Sequence, residues 1–237
     1  FTVCAIGSFG YFFYHLKKTW AQMAIVGQGA EENKFDDVKR RVTQTIFGGF
    51  VQPAMFKDLV PGIVHFIIFW GFLVVSLGTV DTLVQGVLPG YTFETILGDS
   101  FIYSLYLFSQ DTANFFVTIA ISFAISRRVF FPPKRFLNLG REARVDAYIV
   151  LYLILGLTTT SLLSLGTHHY LKESQEVSYH LFFSGFLTQI LDFLIPLAFL
   201  PFLAKVFWWS HVFFLFGFLL YLPSSKHQHL IWVWPNL

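Results

Sequence analysis

Apolar residues in this chain come in long runs rather than in alternation. The runs cover residues 1–16, 63–80, 101–126, 147–166 and a longer stretch at 181–222, and the segments between them hold most of the charge. About 20 apolar residues cross the roughly 30 Å hydrocarbon core of a bilayer as a helix, and only helices and closed barrels satisfy their own backbone hydrogen bonds there. Unbroken runs of this length select helices. The last run is too long for one: Pro196 and Pro201 interrupt it, Asp192 breaks its apolar face, and Lys205 with Trp208 and Trp209 reads as the interfacial anchor of a final helix ending near Leu222. The pattern predicts an all-α membrane protein of five transmembrane helices, plus one interfacial or re-entrant apolar segment at 181–204.

Composition agrees. Of 237 residues, 55% are hydrophobic, 20% aromatic and 13% charged, with 31 Phe and a mean hydropathy of +0.61; a soluble domain of this size could not bury that much apolar surface. The single cysteine, Cys4, excludes a disulfide framework, a zinc cluster or an iron–sulfur site built from these residues alone. A net charge of +2 gives no reason to expect nucleic acid as a partner. The start at Phe1 and the end at Trp234, Pro235, Asn236 and Leu237 read as the edges of a fragment.

Charge sets the orientation, because Lys and Arg near span ends stay cytoplasmic. Lys17, Lys18, Lys34, Lys39, Arg40, Arg41 and Lys57 lie between the first and second runs, and Arg127, Arg128, Lys134, Arg135, Arg141 and Arg144 between the third and fourth. The opposite loops carry Asp81, Glu94, Asp99, Glu173 and Glu176. With 181–204 not spanning, Lys226 and the C-terminus are also cytoplasmic, in an inner membrane, and residues 17–60 form a cytoplasmic helix and loop.

Eight histidines carry the candidate chemistry. An imidazole inside a span is costly without a partner or ligand. His211 and His229 are 18 residues apart, five turns of a continuous helix, so they would share a face about 27 Å apart, roughly one bilayer thickness. Such a pair would serve two haem planes, one near each surface. His65 sits near the cytoplasmic start of the second run, at the depth expected for His229, so those two could meet across one iron. His227 falls on the opposite face and reads as a weaker, neighbouring group, with Pro223 able to change its phase. His168 and His169 end the fourth run and are weaker cofactor ligands; His15 and His180 read as surface groups. Asp111, among Ser109, Gln110, Thr112 and Asn114, is either a proton relay or a carboxyl hydrogen-bonded to a neighbouring helix. Asp146 reads as an acid complementing the start of the fourth helix.

The segment running from His211 through Pro223 and Lys226 to His229 resembles the last helix of the gamma subunit of respiratory nitrate reductase. The segments Pro61-Gly62-Ile63-Val64-His65-Phe66, Trp208-Trp209-Ser210-His211 and Lys226-His227-Gln228-His229 are similar to the membrane part of heterodisulfide-reductase-related iron–sulfur oxidoreductases, including membrane-bound electron-transfer-flavoprotein:quinone oxidoreductases. The resemblance implies a haem-binding helical bundle in which His65 and His229 ligate a cytoplasmic-side haem b and His211 one side of an external haem. The nitrate reductase pattern places a second His ten residues beyond the first on the second helix, where this chain has Val75. The opposite side of His211 is therefore left open between His168 or His169, no second protein ligand, and no haem at all.

The expectation is a transmembrane cytochrome b domain over 1–237, with an iron–sulfur domain or subunit, in which any clusters would sit, and a soluble continuation beyond Leu237. It would carry electrons between a cytoplasmic iron–sulfur or electron-transfer-flavoprotein partner and menaquinone or ubiquinone. The rivals are a proton or ion transporter using Asp111 and the intramembrane histidines, and a plain membrane anchor.

Overall fold

The computed structural model describes residues 1–26, 37–173, 180–225 and 228–232, and these are helical almost throughout. In chain order the helices are α1 (Thr2–Val26), α2 (Val38–Thr45), α3 (Leu59–Val87), α4 (Phe93–Leu97), α5 (Phe101–Phe130), α6 (Lys134–Leu137), α7 (Arg141–Lys172), α8 (Phe182–Leu194), α9 (Leu200–Tyr221) and α10 (His229–Trp232). A π-helical turn at Ile46–Val51 and a 3-10 turn at Pro53–Lys57 join α2 to α3.

Among the described residues four helices are long and apolar enough to cross a membrane: α3, α5, α7, and α9 with its flanking 3-10 turns. α1 has 25 residues, about 37 Å of helix, but Tyr11, Tyr14, His15, Lys17 and Lys18 dilute its apolarity below that of the other four. The long stretch at 181–222 divides as α8 and α9. α8 has 13 residues, about 20 Å, well short of a hydrocarbon core. It stops at Ile195, whose extended backbone is what a residue before proline adopts. The expected break at Pro201 is absent: this proline sits in the first turn of α9, where its missing N–H costs nothing.

The ends of the long helices are written in the sequence. Ser100 caps α5 by accepting from the Tyr103 N–H at 3.2 Å, and Pro132 with Pro133 follows its end. Pro89 and Gly90 close α3, with Gly90 at φ 95, a conformation glycine adopts without strain. Asp146 lies in the second turn of α7, which starts at Arg141, and accepts from the Tyr221 hydroxyl at 2.8 Å, so it ties α7 to α9 instead of complementing a helix start.

α7 is the hub, packed against α5, α8 and α9, while α3 lies on α5 and α1 on α9. The core is aliphatic and aromatic: Val117, Ile121, Val150, Ile154, Val212 and Phe216 are buried between these helices. Lipid is as apolar as these side chains, so close approach and interhelical hydrogen bonds must supplement their packing. Gly156 accepts the Phe214 ring, and Gly166 admits the Ser184 carbonyl and Thr188 hydroxyl of α8, where any β-carbon would collide. Thr118 donates to Thr158 at 2.9 Å between α5 and α7, and Gln110 donates to the Val74 carbonyl at 2.7 Å between α5 and α3.

Helix direction gives the bundle two unlike ends. The start of α3, the end of α5 and the start of α7 bring Lys57, Arg127, Arg128, Arg141 and Arg144 to one end. Asp81, Glu94 and the paired imidazoles His168 and His169 lie at the other.

Candidate functional site at the acidic end of the bundle

Four helices meet around a cavity of about 590 Å³. Each contributes residues three or four apart, so one face of each helix lines it: Gly78, Asp81, Thr82 and Gln85 from α3; Tyr103, Tyr106 and Gln110 from α5; Ser161, Ser164 and His168 from α7; Lys205, Trp208 and His211 from α9. That size lies within the range of small-molecule and cofactor sites.

His211 is buried at 4% exposure. Its Nδ1 lies 3.0 Å from the Leu157 carbonyl and 3.5 Å from the Thr160 hydroxyl, which itself donates to the Gly156 carbonyl at 2.6 Å. A carbonyl can only accept, so Nδ1 carries the proton and Nε2 is left with its lone pair free for a ligand. His169, 5% exposed, also lines the cavity, with Nδ1 3.8 Å from a Glu173 carboxylate oxygen and its ring stacked obliquely 6.4 Å from Tyr103. The more exposed His168 ring stands nearly perpendicular to it, centroids 5.4 Å apart. The structure thus gathers His211, His169 and His168 around one space. Two buried imidazoles line one cavity, and neutral imidazole nitrogen is a donor of the type that ligates haem iron.

The cavity wall is held by a polar frame. Asp81 accepts from the Phe93 backbone N–H at 2.7 Å, which fixes the start of α4, and its other oxygen lies 3.4 Å from the Tyr106 hydroxyl. The Trp208 indole donates to Gln85 at 2.8 Å, and Glu94, which lines the cavity, pairs with Lys172. These residues were missed by sequence reasoning, which counted Asp81 and Glu94 only as loop acids. The signal was the spacing of Gly78, Asp81, Thr82 and Gln85, a polar stripe on the last two turns of an apolar helix.

The basic end is different. His65 is exposed on α3, away from the cavity. The continuous helix assumed from His211 to His229 does not exist: α9 ends at Tyr221, Pro223 sits in a 3-10 turn, Ser225 is extended at φ −92 and ψ 166, and α10 starts afresh at His229. His211 and His229 therefore do not lie on one continuous helix face. His227 and the His229 side chain lie outside the described residues. No group of three or more His, Cys, Asp or Glu side chains suited to a bare metal ion occurs among the described residues.

Asp111 is 1% exposed in the middle of α5 and makes no ion pair among the described contacts. Its two oxygens accept from the backbone N–H groups of Phe183 and Ser184, both at 2.8 Å. These are the second and third residues of α8, whose own capping position, Leu181, has no side-chain acceptor. Asp111 therefore caps a helix across space, and the positive end of the α8 dipole compensates its charge. Tyr170 donates to Asp192 at 2.9 Å and ties α8 to α7 as well.

Over 229 residues, 93% of its length, the chain is 31% identical to FadF of Bacillus subtilis (strain 168), described as a probable iron–sulfur-binding oxidoreductase. The chain spans 30% of that protein's length. No protein-family model matches the chain, and no solved structure does.

Proposed function

We propose that this chain is the membrane cytochrome b module of an iron–sulfur oxidoreductase, carrying electrons between a cytoplasmic iron–sulfur or flavoprotein partner and the membrane quinone pool. The observation that carries the reading is the buried His211, held by the Leu157 carbonyl with Nε2 free, in a cavity shared with His169 and His168. FadF supports the iron–sulfur side, since the length this chain does not span leaves room there for a cluster-bearing part.

In this reading α1 is a fifth span and α8 lies at the interface or re-enters. The basic end faces the cytoplasm, where the C-terminal segment also lies. His211 with His169 or His168 holds haem at the acidic end, and His65 with His229 holds it at the basic end. Haem b so held supplies one-electron transfer. The protein's part is to fix the ring of His211 through Leu157 and Thr160, to shield it from water with Trp208 and Tyr103, and to keep the wall polar through Asp81 and Gln110. Asp111, with both oxygens occupied by N–H donors, serves as an anchor and not as a proton relay.

The test is a pyridine haemochrome assay on the purified full-length protein. A b-type band, reduced in His211→Ala, supports the reading. A colourless wild-type preparation, from cells replete with haem, rejects it in favour of a transporter or an anchor.

A further inference from the structure

We infer that α2 and the turn that follows it form an element that binds anionic lipid on the membrane surface at the basic end of the bundle. At 100° per residue, Val38, Val42 and Ile46 share one arc of the helix, and Lys39 and Arg41 flank that arc on its two sides. Arg40 points away and pairs with Asp37 at 3.2 Å. The apolar arc is not covered by the described protein: Val38, Val42 and Ile46 are each about half exposed, at 55%, 51% and 49%. An apolar stripe edged by cations is the pattern of a helix lying in the headgroup layer, its long basic side chains reaching up to phosphate.

Two further observations select lipid as the occupant. The stripe is continuous with the lipid-facing surface of a span, because Phe50 packs 5.9 Å from Trp70 and Phe56 packs 5.9 Å from Phe66, both on α3. The 3-10 turn before α3 rests on its first turns, with the Met55 carbonyl against Gly62, which holds the segment where the hydrocarbon begins. The partner is thus an anionic phospholipid, recognised by charge and acyl contact together.

The test uses the full-length chain with Cys4→Ser, carrying Val42→Cys or Gln44→Cys labelled with an environment-sensitive fluorophore, in nanodiscs of phosphatidylcholine with or without phosphatidylglycerol. The expected result is a blue shift and quenching by phosphatidylcholine carrying a nitroxide on its headgroup at position 42 but not at 44, strengthened by phosphatidylglycerol and mostly lost in Lys39→Gln/Arg41→Gln. Glycerol phosphate alone should leave the spectrum unchanged. A probe at 42 that is equally solvated in every lipid, one that is equally shifted in detergent and so covered by protein, or one that responds to glycerol phosphate would each overturn the inference.

Discussion

The two ends of the bundle handle histidine in opposite ways. At the acidic end His211 and His169 are buried, and a carbonyl holds His211 with one ring nitrogen left over. At the basic end His65 faces outward from α3 and the path to His229 is broken at Ser225. A buried imidazole is costly to desolvate and needs a fixed partner, so the acidic-end site is preorganised by the fold itself. In the proposed function His65 and His229 would hold the second haem, and His65 is exposed with no buried partner holding its ring among the described contacts. Preorganisation therefore belongs to the end farther from the basic surface, and the two sites should differ in how they lose their cofactor.

The sharpest way to break that contrast is by ligand removal. His211→Ala should lower the haem-to-protein ratio from two to one and leave the remaining spectrum intact, whereas His65→Ala should remove the other haem. Replacing His168 and His169 singly then identifies the partner of His211, because only the true ligand converts the spectrum of that site. A wild-type ratio of one, unaffected by His211→Ala, would put the cofactor at the basic end alone.

The orientation of the two ends has an all-or-none readout. Measured as labelling above that of the Cys4→Ser parent, Tyr91→Cys at the acidic end should react with an impermeant thiol reagent on intact cells, and Asn138→Cys at the basic end only after lysis. Reversed labelling would place the preorganised site against the cytoplasm.

Removing the anchor of α8 has a smaller, graded effect. Asp111→Ala leaves two buried N–H groups without their charged acceptor, at about 1.5–3 kcal/mol each, so a loss of about 3 kcal/mol or more in stability is expected from thermal unfolding in detergent. Asp111→Asn keeps one acceptor and should cost about half as much. If both variants melt with the wild type, α8 is held by α7 alone. The smallest effect belongs to the cavity wall: Gln85→Leu frees the Trp208 indole and should cost about 1 kcal/mol, visible as a shift in Trp emission.

The spans were legible because a 3.6-residue helix that must be apolar all round leaves a run in the sequence, and proline marks where it stops. α3, α5 and α7 appear where the runs place them, though α3 and α7 extend past both predicted ends and α5 past one, and at the end of α7 the extra turns are packed within the protein through Thr167, His169 and Tyr170. Pro201 misled, since the same residue that breaks a helix interior also suits its first turn. Of the candidate site, His211 was legible as an imidazole in an apolar run. Its neighbours were not, because Asp81, Tyr106 and Gln85 come together only when α3 and α5 run antiparallel and end at the same level. The role of Asp111 was hidden for a similar reason: its partners are backbone groups 72 and 73 residues away, which no side-chain pattern records.

That separation bears on how the chain is made. A ribosome adding about 5–20 residues per second needs roughly 4–14 s to pass from Asp111 to Phe183. Throughout that interval α5 carries a carboxylate whose two acceptors have no donors, and a membrane-inserted helix in that condition is poorly stabilised. The arrival of α8 ends it, so the short helix acts as a late clasp on elements inserted before it. A nascent chain arrested before residue 183 has emerged from the ribosome should therefore be extracted from the membrane and degraded more readily than one arrested after residue 194 has emerged, and Asp111→Leu should abolish the difference.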